Sequence, residues 1–175
     1  MIMIEKLSRH ISRDIKKSDP ALSVSHEVLE YAIGIRLNFI ATISLTCMFG
    51  ALTGKFLETI TAMTVFIIVR KFSGGYHMKS LTLCAIVSSI LFGVIPFIPI
   101  YGEYVFYLTF ISSLIFLWFS PNIMEDLNPS KWDPYLKPIS TMIVMSNFLI
   151  NSPILALAFF AQAILIIPWK GGEST

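Results

Sequence analysis

The sequence predicts an all-α, polytopic integral membrane protein, with about six membrane helices, one or two of them short or re-entrant. An N-terminal amphipathic interfacial helix precedes them. Three observations carry this prediction. Apolar residue types make up 55% of the 175 residues and charged types only 14%, whereas a soluble domain uses about 25% charged residues to cover its surface. Mean hydropathy is +0.73. The apolar residues also fall into charge-free runs of helix length, separated by short basic or proline-rich stretches. The chain therefore reads as one membrane-embedded domain over 1–175, with interfacial helices in 1–35 and membrane helices in 36–170. The net charge of +2 is too small to point to nucleic acid. Cys47 and Cys84 make neither a disulfide framework nor a CxxC pair.

The first element is a basic helix. Ile4, Leu7, Ile11 and Ile15 recur every three or four residues, with Lys6, Arg9, Arg13, Lys16 and Lys17 between them. One apolar stripe on a cationic helix suits the lipid headgroup layer, although packing on the protein itself would use the same stripe. The seven charges in the first 17 residues are unlike a cleaved signal peptide, which has an uninterrupted apolar core. Asp19-Pro20 ends this helix and is expected to cap the next, which carries Glu27 and Glu30.

Charge-free runs follow. Leu37–Gly54 has 18 residues, Ser80–Gly102 has 23 and Tyr104–Met124 has 21; each approaches or exceeds the roughly 20 residues a span requires. Thr59–Val69, extended back to Phe56, has 14 and is short for a crossing, so it either thins the bilayer or re-enters. Pro138–Trp169 has 32 residues broken by Asn151-Ser152-Pro153, which predicts a hairpin of two short helices. Ser120–Pro138 reads as a polar loop whose four prolines resist helix formation. Trp132, Tyr135 and Trp169 are expected as interfacial anchors. Basic residues gather in the N-terminal segment, at Arg70, Lys71 and Lys79, at Lys131 and Lys137, and at Lys170; the turns near Glu103 and Asn151 have none. The positive-inside rule then gives six crossings with both termini cytoplasmic, and the competing arrangement is four spans with two re-entrant pieces.

The stretch Arg70–Cys84, "RKFSGGYHMKSLTLC", is where chemistry concentrates. A histidine beside a cysteine can accept the thiol proton and release a thiolate nucleophile. On one continuous helix His77 and Cys84 would stand roughly 10 Å apart along the axis, beyond the reach of a general base. His77 must therefore sit off the helix, and Gly74-Gly75 can supply the fold-back. Ser80 is a natural N-cap, which makes Cys84 the fourth helical residue, its side chain leaning back toward Ser80. The helix dipole would favour a thiolate there. Oxyanion donors could come from the backbone N–H groups of Gly74 and Gly75 or from Arg70, Lys71 and Ser73. A third group to orient His77 is not evident, with Glu125, Asp126 and Asn128 as candidates. The bland reading is that His77 and Cys84 are structural, Arg70 and Lys79 anchor helix ends in headgroups, and Cys47 is packing. One His and one Cys make an incomplete zinc shell, and no cofactor is implied.

The run Arg70-Lys71-Phe72-Ser73-Gly74-Gly75-Tyr76-His77, with Cys84 seven residues on, resembles the AgrB family of bacterial membrane proteases that process quorum-sensing propeptides. The resemblance covers nearly the whole chain, including the basic amphipathic start, the helix order, the proline-rich loop and "KPIS" at Lys137–Ser140. It implies a cysteine endopeptidase at the cytoplasmic side of the bacterial cell membrane, with Cys84 as nucleophile and His77 as base. Arg70 and Gly75 match further motif positions important for activity. The implied substrate is an AgrD-like propeptide with an amphipathic leader, a cysteine-bearing centre and an acidic tail, which Lys71 and Lys79 would bind. A homodimer and contact with membrane lipids are implied too. Two rival readings are a non-catalytic membrane scaffold that binds a peptide, and a peptide exporter. Export predicts charged residues or broken helices near the bilayer centre, where only Asn147, Asn151 and Gln162 are in view.

Overall fold

The computed structural model describes residues 3–19, 22–76, 78–122 and 133–168, and every regular element among them is helical. The order is α1 (Met3–Ser18), α2 (His26–Thr53), α3 (Phe56–Ser73), α4 (Leu81–Val94), a 3-10 turn at Ile95–Phe97, α5 (Glu103–Phe119), α6 (Asp133–Met145), α7 (Asn147–Ile150) and α8 (Pro153–Ile166). Two compact units emerge. One takes in α1, α2 and α4, the other α3 and α5 to α8.

In the first unit α2 is the long element. Ser25 caps it by accepting a hydrogen bond from the Val28 N–H, and Gly54 ends it at φ +70°, a conformation that glycine adopts without steric cost. The cap is thus Ser25 rather than Asp19-Pro20; Asp19 lies one residue past α1, and Pro20 falls outside the described residues. The helix also runs unbroken through residue 36, where charge placement had pointed to a boundary. An arginine side chain costs an α-helix little, so polar and apolar parts join in one rod. Among the described residues α2 is the one helix long and apolar enough to cross a membrane by length and composition.

α1 packs on α2 through a face of small residues. Ile4, Ser8 and Ser12 are buried, Arg9 pairs with Glu30 at 3.1 Å, and Ser12 Oγ lies 3.2 Å from His26 Nε2. Of the apolar stripe Ile4 packs inward and Ile11 is half-buried, while Leu7 and Ile15 are exposed, as is Met3. α4 closes on α2 at Gly93, where any added Cβ would run into the Phe49 ring.

The second unit is built round Val69, Phe116, Val144, Phe159, Ala163 and Ile166, all at most 1% exposed. α3 spans 18 residues rather than 14, because Arg70–Ser73 continue the helix; basic side chains in a last turn complement its dipole. Proline shortens the next run, since α4 stops after 14 residues at the turn holding Pro96. α5 ends at Phe119, with Pro121 close behind. The expected break in the last run is present, with Asn151 at φ +53° and Ser152 capping α8. Asn147, buried there, donates to Thr109 Oγ1 at 2.9 Å and accepts from the Ser152 N–H at 3.0 Å.

The proline-rich loop departs from expectation as well. The end of the proline-rich loop is helical, since α6 begins at Asp133 and carries Pro138 inside it. Pro134 falls in the first turn, where a missing N–H costs nothing. Lys131, Trp132, Trp169 and Lys170 lie outside the described residues, as do Glu125, Asp126 and Asn128. Tyr135 is exposed.

Candidate active site

The stretch Arg70–Cys84 is built in two pieces, one in each unit. The first piece is the end of α3 and the turn beyond it. Gly74 and Gly75 have φ +66° and +122°, so the chain leaves the helix in conformations that side chains resist. Three backbone groups hold it there. Gly75 N–H donates to the Asn122 carbonyl at 2.9 Å, Asn122 N–H donates to Ser73 O at 2.9 Å, and Tyr76 N–H donates to Leu165 O at 2.8 Å. A Cβ on Gly75 would come within 3.1 Å of Leu165 O and 3.2 Å of Gln162 Nε2.

Gln162 organises the same turn from α8. It is fully buried. Its Oε1 accepts from Arg70 Nη1 at 3.2 Å, and its Nε2 donates to Ser73 Oγ at 3.0 Å and to Gly74 O at 2.7 Å. Arg70 Nη2 reaches Tyr76 O at 2.6 Å, and the guanidinium lies over the Phe66 ring. Arg70, Ser73, Gly74 and Gly75 are thus brought together, and each polar group named has a protein partner. The arrangement fixes a backbone path. It does not leave Gly74 and Gly75 N–H groups open for an oxyanion, since Gly74 N–H is taken by Arg70 O at 2.9 Å.

The second piece leads into α4. Ser80 is the N-cap, its Oγ accepting from Leu83 N–H at 3.3 Å, and Cys84 N–H donates to Ser80 O at 3.0 Å. Cys84 is then the fourth residue of α4, half-buried and with a free thiol. The first turn of α4 contains no acid, yet a carboxylate sits there. Glu5 of α1 accepts from Ser80 Oγ at 2.9 Å, from Thr82 N–H at 3.3 Å and from Thr82 Oγ1 at 2.8 Å. Burial alone would raise its pKa, but the hydrogen bonds from its own backbone and from Thr82 and Ser80 outweigh that and hold it at about 2. The positive end of the α4 dipole therefore already faces a negative charge.

His77 lies outside the described residues, between the non-helical Tyr76 and Met78. Lys71 and Lys79 are both exposed. Cys47, mid-helix in α2, is half-buried and takes no part in either piece. Reading the sequence missed Glu5, Asn122 and the role of Gln162. Gln162 had a visible signal, as the one polar side chain in α8, and Glu5 a weaker one, as the first acid in the chain. Asn122 had none.

These observations define a class: an all-helical protein with a membrane-length helix and a cysteine in the first turn of a capped apolar helix, preceded by a rigid Gly-Gly turn. The chain belongs to the accessory gene regulator B (AgrB) family, whose model matches residues 4–170. It is 22% identical to an AgrB-like protein of Halalkalibacterium halodurans over 95% of this chain and 88% of that one. It is 24% identical to an AgrB-like protein of Lactiplantibacillus plantarum over 99% and 94%. Protein FsrB of Enterococcus faecalis is 23% identical over 75% of this chain and 58% of its own length. No solved structure matches the chain.

Proposed function

We propose that this chain is a membrane cysteine endopeptidase that processes an AgrD-like quorum-sensing propeptide. The observation that carries the reading is Cys84 in the first turn of α4, nine residues after Gly75 in the chain, in a chain of the AgrB family. Cys84 Sγ attacks the carbonyl before the acidic tail, and His77 takes the thiol proton and returns it to the departing amine. The peptide bond breaks and a thioester joins the precursor to Cys84. The precursor's own thiol then attacks that thioester, frees Cys84 and closes a thiolactone. One thioester replaces another, so this second step is near balance if water is excluded. Arg70, Ser73, Gly74 and Gly75 serve as loop support in this mechanism, since their polar groups hold the turn. Lys71 and Lys79, exposed cations, receive the acidic tail.

The placement of basic residues supports a multi-pass arrangement in the cell membrane, with the site and both termini at the cytoplasmic side. The open apolar stripe of α1, with Leu7 and Ile15 exposed, supports contact with lipid. Residues 1–175 act as one functional domain, as a homodimer. Replacing Cys84 with Ala should abolish precursor cleavage in lipid without loss of fold, while Cys47→Ala cleaves normally. Cleavage by Cys84→Ala at the parent rate would end the covalent mechanism and leave a peptide-binding scaffold. His77→Gln should slow alkylation of Cys84 by iodoacetamide at neutral pH about 10-fold or more.

A further inference from the structure

We propose that Glu5 is a positioning residue for the nucleophile: from α1 it supplies the first-turn carboxylate that the Cys84 helix lacks, so that the seating of α1 decides how well ordered Cys84 is. The proposal rests on the endopeptidase reading. Helices that begin with a Ser cap commonly carry an acid two or three residues later, which satisfies first-turn N–H groups and opposes the dipole. In α4 those places hold Thr82 and Leu83. Glu5 fills the vacancy from outside the helix. One oxygen takes Ser80 Oγ and Thr82 N–H, the other takes Thr82 Oγ1. The same hydroxyl accepts from the Ile4 N–H at 2.9 Å, so the first turn of α1 and the first turn of α4 satisfy each other.

The tie is aimed at Cys84 through its neighbours. Ser80 receives the Cys84 N–H on its carbonyl and the Leu83 N–H on its hydroxyl, while giving that hydroxyl's proton to Glu5. Moving Glu5 therefore moves the residue that anchors both. The charged groups sharing its cleft are Arg9 on α1 and Glu27 and Glu30 on α2, and Arg9 is engaged with Glu30. α1 turns Ile4, Ser8 and Ser12 inward and leaves Leu7 and Ile15 of its apolar stripe exposed. Whatever that stripe binds is thereby linked to the helix that presents the thiol.

The test uses full-length protein in lipid nanodiscs. Glu5→Gln keeps the shape and removes the charge; Thr82→Val removes the shared hydroxyl. Both should speed hydrogen exchange at the amides of Thr82, Leu83 and Cys84 by about 10-fold, with α2 exchange unchanged. Both should lower kcat for precursor cleavage about 10-fold while KM stays within twofold, because binding surfaces are untouched. Leu83→Glu in the Glu5→Gln background returns a carboxylate to the first turn in cis, and should recover both exchange protection and most of kcat. Unchanged exchange and kcat in Glu5→Gln, or loss of kcat that Leu83→Glu leaves uncorrected, would overturn the proposal. Should Cys84→Ala itself cleave, the endopeptidase reading falls, and the exchange measurements still decide whether Glu5 orders α4.

Discussion

Gln162 accepts a hydrogen bond from the Arg70 guanidinium at 3.2 Å, joining positions 92 residues apart in the chain. One buried amide on α8 thus holds the charged residue at the end of α3, and its other end holds Ser73 and Gly74. Loss of this side chain takes a hydrogen bond from three polar groups at once.

Gln162→Leu, similar in volume, should destabilise the protein by about 2–4 kcal/mol, since it removes a hydrogen bond from each of the Arg70 guanidinium, the Ser73 hydroxyl and the Gly74 carbonyl at a buried position. Thermal unfolding in detergent measures this. An unchanged midpoint would mean that the turn holds itself without α8.

Gly75→Ala should cost about 1–3 kcal/mol, because φ is +122° and the new methyl meets Leu165 O at 3.1 Å. Gly54→Ala, also at positive φ but with nothing within 4 Å, is the control for backbone strain alone. The first variant should lose more stability than the second, and precursor cleavage with it.

Lys71→Gln and Lys79→Gln should each raise KM for the full precursor more than they lower kcat, since each charge-assisted contact contributes about 1 kcal/mol at a solvated surface. The effect should shrink with added salt and vanish for a precursor whose tail acids are neutralised. Equal KM values across these variants would move tail binding to the basic face of α1. Arg70→Gln should depress kcat as well, because Arg70 also holds the turn through Tyr76 O.

The Glu5 carboxyl sits near 2 against an ordinary value of 4.5, which sets a sign for acid. A depressed carboxyl contributes stability that is fully present above the unfolded value and is lost as pH falls through the folded one. Spin labels on α1 and α4 should therefore report a fixed distance from pH 7 down to about 5, then separation as pH falls toward 2. Glu5→Gln should remove that dependence. A parent transition centred above pH 5 would assign the acid sensitivity to another group.

Much of this was legible because hydrophobic runs, caps and breakers act locally. The Asn151-Ser152-Pro153 break, the Ser80 cap and the place of Cys84 four residues into α4 all follow from neighbours in the chain. What escaped was long-range. Nothing near Arg70 announces Gln162, and nothing near Ser80 announces Glu5, because a buried polar group finds its partner through packing. Composition also misjudged ends. Arg70–Ser73 joined α3 since basic residues are welcome in a last turn, and α6 began at Asp133 because Pro134 fell where its missing N–H goes unnoticed.

The unbroken run of α2 makes the molecule sensitive to its solvent's geometry. Its apolar portion, residues 37 to 53, extends about 26 Å, and the preceding turns from His26 add about 16 Å. In the crossing proposed for α2, hydrocarbon about 30 Å thick would take up the first length and little of the second, leaving a helical stub that carries α1 through Arg9 and Ser12. The crossing proposed for α2 would thereby tie the depth at which α1 meets the headgroups to bilayer thickness.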